Sequence, residues 1–199
     1  MTQAFLRTDE RKDIISSIAL FIDALNKVDG ESSYWKWAVI SLHSAIQSIM
    51  AFHLGFGNSL LVMSQKDAEA WLLAHHEQST YPETQMDNFL NLYKKIKKHE
   101  ILGFKFVPHG QEGASIKNLN MLRNEFIHFM PKGWSIEISF MVNTFIHCIN
   151  IIKRIGSGPI SMRWEDDLQA QTFVKLVEIA SEAVNAIKTT NQRINPTGR

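Results

Sequence analysis

Apolar residues recur at helical spacing along almost the whole chain, and no run shows the alternation of a half-buried strand. After Thr8, "DERKDIISSIALFIDALNKVDG" places Ile14, Ile18, Phe21, Ile22 and Leu25 on one stripe and stops at Gly30. Ser32 or Ser33 is suited to cap "YWKWAVISLHSAIQSIMAFHLGFG", which is apolar over much of its circumference and is therefore expected to be central. Gly55 and Gly57 mark its end. Ser64 with Asp67 resembles a capping box that opens "QKDAEAWLLAHHE", and after the Tyr81-Pro82 break Thr84 starts "QMDNFLNLYKKIKKHE". Residues 101–114, with Pro108, Gly110 and Gly113, read as a loop. Ser115 then caps "IKNLNMLRNEFIHFM", which Pro131 and Gly133 terminate. An apolar helix follows from Ser135 to about Ile155, "GSGP" turns the chain, and a last helix spans about Asp166 to Gln192, with a frayed tail over 192–199. Several such helices joined by short loops predict one all-α domain over residues 1–199, an antiparallel bundle of about five to seven helices.

Composition narrows the picture without redirecting it. With 199 residues, 45% of them hydrophobic, the chain can bury a real core. A formal charge of +1 provides no global field for nucleic acid or membrane, so any polyanion site has to be local. The single Cys148 excludes an internal disulfide and fits a reducing cytoplasm. The opening "MTQAFLRTDERKD" turns charged before an apolar core forms, so no secretory signal is expected. The greasiest segment, "WSIEISFMVNTFIHCINII", is broken by Glu137, Asn143, His147 and Asn150, unlike a membrane-spanning helix. The expectation is a soluble cytoplasmic protein.

One stretch carries chemistry that the core does not need. In "LRNEFIHFMPKGW", Leu119, Leu122, Phe126, Phe129 and Met130 gather on one side of a helical wheel, with Arg123 at the edge of that stripe. Asn124 and His128, four apart, share the opposite face, and Ile127 lies between them and Arg123. A polar patch with an apolar residue in its middle reads as a surface that another surface covers. Histidine titrates near neutrality and exchanges protons in a transition state, while an arginine fork suits a phosphate and its developing charge. Together, and without a metal, these groups suffice to cleave RNA through its own 2′-hydroxyl.

"RNEFIH", residues 123–128, resembles the Arg-x4-6-His signature of the HEPN superfamily (higher eukaryotes and prokaryotes nucleotide-binding), with Asn as the polar residue after the arginine. The resemblance implies a HEPN-like helical bundle that dimerises through this helix, so that two motifs face one another and form one metal-independent endoribonuclease site. It implies Arg123 and His128 as catalytic residues, with Asn124 positioning the phosphate or the histidine. The implied role is a toxin or defence effector with an RNA substrate, held by an antitoxin or regulatory protein. In the branch paired with nucleotidyltransferase antitoxins a tyrosine stands two positions after the histidine; here that residue is Met130. The competing reading is a non-catalytic helical module that binds RNA, a nucleotide or a protein partner, with Arg123 and His128 paired to carboxylates.

The remaining candidates are weaker. Lys94, Lys95 and Lys98 share a helix side and read either as an RNA phosphate-tracking patch or as a solvated face. Lys132, just past the motif helix, would sit near a bound phosphate. His75 and His76 are adjacent and so point about 100° apart, which is wrong for sharing one ion, and neither a metal nor a cofactor is expected. His43, His53 and His147 read as satisfied core or interface histidines, and Trp35, Trp37 and Trp71 as core anchors. Cys148 lacks an activating neighbour, and no glycine-rich phosphate loop suggests an ATP or GTP hydrolase.

Overall fold

Over residues 4–128, 133–157 and 162–194, the residues described by this computed structural model, the chain forms seven α-helices and no strand. They are α1 (Glu10–Leu25), α2 (Tyr34–Leu54), α3 (Gln65–His76), α4 (Phe89–Lys98), α5 (Glu112–His128), α6 (Ile138–Gly156) and α7 (Asp167–Ile194). The expected all-α bundle is therefore what the chain adopts. Phe129, Met130, Pro131, Lys132, residues 158–161 of the "GSGP" region and residues 195–199 of the tail lie outside the described residues.

α2 is the axis of the bundle, packing against α1, α4, α5 and α6, while α7 closes the far side on α1 and α6. Its buried residues run all round the helix, from Trp35, Ala38 and Val39 to Ile49, Met50 and Leu54, as its apolar circumference requires. By length and composition α2 could cross a membrane, but 67% of its most apolar window is buried among the other helices. Phe145 of α6 ties α1 to this axis, edge-on to Phe21 of α1 at 5.3 Å and stacked on Trp35 of α2 at 6.1 Å between ring centroids. Where α6 ends, the backbone of Gly156 lies against the buried ring of Phe173 on α7, and a Cβ added there would stand 2.3 Å from Cζ.

The caps follow local chemistry. Asp9 accepts the Lys12 amide at 2.9 Å, Ser64 the Asp67 amide at 3.1 Å and Asn88 the Asn91 amide at 3.0 Å. Three helix starts differ from expectation, and the simplest is α6, which begins at Ile138 rather than Ser135. α4 begins at Phe89 rather than after Thr84, because the Asp87 amide is held by the Val62 carbonyl at 2.8 Å and its carboxylate by Lys95 at 2.7 Å. α5 begins at Glu112, three residues before Ser115. There the Glu112 carboxylate accepts the His109 amide at 2.7 Å and the Arg154 guanidinium at 2.6 Å, although only 3% of the residue is exposed. Ser115 is buried, and its carbonyl accepts the Cys148 thiol at 3.8 Å.

α3 packs against no other described helix, and Ala74 is its one buried residue. Trp71 is consequently not a core anchor, and Trp37 is exposed; of the three tryptophans only Trp35 joins the core.

Two outcomes test this packing. Removing Arg154 strands a buried carboxylate, so Arg154→Ala should lower unfolding free energy in urea by about 3 kcal/mol. Gly156→Ala drives a methyl into an immobile ring and should cost about 2 kcal/mol. Changes below about 0.5 kcal/mol would place each site among ordinary surface positions.

Candidate functional site on helix α5

Packing fixes how α5 is turned. Ile116, Leu119 and Leu122 are buried, and Phe126 packs edge-on to Trp134 at 4.8 Å. That leaves two polar sides. Toward α2 and the start of α4, Asn120, Arg123 and Asn124 form one wall of a cleft of about 380 Å³. His43 and Gln47 from α2, with Asn88 and Phe89, contribute the opposite side. Toward solvent, Lys117, Met121, Asn124 and His128 are all exposed, spaced four, three and four residues apart on one stripe. Ile127, 40% exposed, borders that stripe.

The cleft wall is organised by a histidine. The His43 ring stacks on Phe89 with 3.9 Å between centroids, and its Nε2 lies 3.4 Å from Asn120 Oδ1. The amide oxygen accepts, so Nε2 carries the proton. Burial pushes the His43 pKa down to about 4; the Asn120 hydrogen bond opposes that shift and the Arg123 charge adds to it. His43 is thus a neutral donor at pH 7 that orients Asn120. Arg123, half-buried, donates to Asn124 Oδ1 at 3.1 Å.

Of the residues singled out in the sequence, Arg123 and Asn124 come together at the cleft, and His128 does not line it. Five residues at about 100° each put His128 about 140° round the helix from Arg123, and about 7.5 Å along it. One chain therefore presents them to different sides. The lysine patch also separates. Lys94 and Lys98 are exposed, whereas the Lys95 amine is drawn to Asp87 at 2.7 Å and to the Met63 carbonyl at 2.6 Å. Lys132 lies outside the described residues. Cys148 is fully buried, and burial with the nearby Glu112 charge holds its thiol far above the usual range. Among the described residues no three His, Cys, Asp or Glu side chains are grouped to hold a metal ion.

Asn120 and Met121 are the site residues that the motif alone does not single out. Their signal was present in the spacing: Asn120 stands four before Asn124, and Met121 seven before His128. Comparison with family models, with curated proteins and with solved structures finds no match to this chain.

Two histidines on α2 make stability pH-dependent. Burial pushes the His53 pKa to about 4, as it does for His43. Unfolded, each titrates near 6.5, so between 6.5 and about 4 the unfolded chain binds more protons and acidification destabilises the fold. The gap corresponds to about 3 kcal/mol for each histidine. The urea midpoint should stay flat above pH 7 and fall through that window, with His43→Gln removing about half of the fall. An unchanged pH slope in the variant would mean that His43 titrates normally in the folded state.

Proposed function

We propose that this chain is a metal-independent endoribonuclease of the HEPN type, a toxin or defence effector that works as a homodimer through α5. The observation that carries this reading is the exposure of His128 at the end of α5, one turn from exposed Asn124 and about 140° from Arg123. A histidine sealed in the core would have excluded the chemistry. The angular separation gives the second copy its purpose. The resemblance implies that a second α5 faces this one across the exposed Lys117–Met121–Asn124–His128 stripe, so that two copies of the motif serve one phosphate. Exposed Met121 and Ile127 supply apolar area for that contact.

In this reading His128 takes the proton of the RNA 2′-hydroxyl, whose oxygen attacks the adjacent phosphorus. The P–O bond to the 5′ oxygen breaks, and the partner subunit's His128 returns a proton to that leaving group. Arg123 stabilises the extra charge on the phosphate, and Asn124, already bonded to Arg123, keeps its fork in place. The products are a 2′,3′-cyclic phosphate and a 5′-hydroxyl. Exposed Lys94 and Lys98 add a sequence-independent attraction to the backbone.

A second reading follows from the cleft itself. Arg123, Asn120, Asn124 and Asn88 line it without His128, a set of donors suited to holding a phosphate or nucleotide without cutting it.

Purified protein incubated with total RNA in excess chelator separates the two. The nuclease reading expects fragments with 5′-hydroxyl ends, slowed about 10²- to 10⁴-fold by His128→Ala and by Arg123→Ala at equal folded protein. Fragments formed equally by wild type and His128→Ala would assign the cleavage to a contaminant. Intact RNA that binds wild type, and no longer binds Arg123→Ala, would establish the binding module instead.

A further inference from the structure

The segment that the bundle does not use is built with care. α3 ends in a Schellman-type closure, with the Ser79 amide donating to the Ala74 carbonyl at 3.0 Å and the Gln78 amide to the His75 carbonyl at 3.3 Å. Gln78 holds the left-handed position at φ 52°, a place where glycine is the unstrained choice. This turn sends the chain back along α3, and Asp67 accepts the Gln85 amide at 3.3 Å from the returning strand. The return places Tyr81 beside His75, with 2.8 Å between the phenol oxygen and Nδ1.

Those two rings are nearly coplanar, 19° apart with centroids 6.2 Å apart, so they lie edge to edge. Both stack on Trp71, Tyr81 at 4.8 Å and His75 at 5.4 Å, with interplanar angles of 20° and 13°. The indole covers one face of the pair. Tyr81 is nonetheless 49% exposed, and His75 is exposed, so the opposite face is open to solvent. On the same helix Leu72, about 60° round from His75, is 48% exposed.

Charge says what such a platform takes. Residues 65–86 carry Lys66 against Asp67, Glu69, Glu77 and Glu83, a formal −3 in a chain that is +1 overall. An aromatic face is electron-rich, and an acidic rim adds to its preference for a cation while repelling a polyanion. Rigid, half-exposed Tyr and Trp rings beside an unburied leucine also have the make-up of an interface centre. We infer that α3 and its returning segment form a docking surface for a basic segment of another protein, whose arginine or lysine lies on the His75–Tyr81 face while an apolar side chain covers Leu72. This surface is independent of the nuclease reading. It does not involve Arg123, Asn124 or His128, and it stands whether or not the chain cleaves RNA.

The test uses full-length protein and three fluorescent dodecamers: a peptide alternating arginine with leucine, its glutamate–leucine counterpart, and a single-stranded RNA. Anisotropy titrations at near-physiological salt should show binding of the arginine peptide, weakened at least tenfold by Tyr81→Ala and by Leu72→Ser. Phe56→Ala, an exposed aromatic elsewhere, should leave it unchanged. Since α3 supports no other helix, the thermal unfolding of each variant should match wild type, and the comparison is made between equally folded proteins. Equal affinity of wild type and Tyr81→Ala for the arginine peptide overturns the inference. So does RNA binding that is lost in Tyr81→Ala, which would make the rings a nucleobase platform. A dimer in sedimentation that Leu72→Ser converts to monomer also overturns it, because a second copy would then be the occupant.

Discussion

The buried pairing of Glu112 with Arg154 is the constraint from which the position of the candidate site follows. The Glu112 side chain is 4% exposed and that of Arg154 24%, and each makes a further hydrogen bond that offsets part of the cost of leaving water. Glu112 also accepts the His109 amide, while Arg154 also donates to the Val107 carbonyl at 2.8 Å and lies 4.6 Å from the Phe106 ring centre. One ion pair thereby holds the α4–α5 connection, the first turn of α5 and the last turn of α6. The neighbouring groups are tuned to it: Tyr93 and Cys148 are both held in their protonated forms by burial and by the Glu112 charge. A neutral phenol and a neutral thiol beside a single carboxylate keep the cluster at one buried anion and one cation.

With its first turn clamped, α5 has little freedom to rotate, and the residues two to four turns on inherit their directions. Leu119 and Leu122 go to the core, Asn120 and Arg123 to the cleft beside α2, and Asn124 and His128 to solvent. An arginine and a histidine five apart leave a straight helix about 140° from one another. In the nuclease reading the requirement for a second α5 comes from the resemblance, and this separation is compatible with it. The binding-module reading escapes this requirement because it uses only the cleft side.

Much of this was legible in the sequence, for reasons that also mark its limits. Period 3.6 in apolar residues identifies an all-α bundle of about five to seven helices, since burying a stripe is what most of them exist to do. The polar face of α5 is equally readable, because spacing on a helix is geometry. What sequence misses is long-range pairing. α4 starts late because Lys95 and Val62 hold Asp87, and α5 starts early because Arg154, 42 residues away, holds Glu112. Lys95 reads as a free cation on a wheel and is engaged in the fold. Trp71 reads as core by its chemistry, yet α3 stands off from the bundle and turns that ring into the base of a surface stack.

Histidine shows the same point within one residue type. His43 and His53 lie on the central helix, where desolvation holds the ring neutral well below pH 6.5. There the imidazole acts as a polar wedge, and His43 fixes Asn120 and so the shape of the wall on which Arg123 sits. His75 lies on a helix with no neighbour and acts through its flat face and one edge. His128 is exposed on the last turn of α5, whose first turn is clamped by Glu112 and Arg154. In the nuclease reading that exposed edge is what proton transfer to a substrate uses. The differences among the four rings come from which helix carries each one and how deeply that helix is packed.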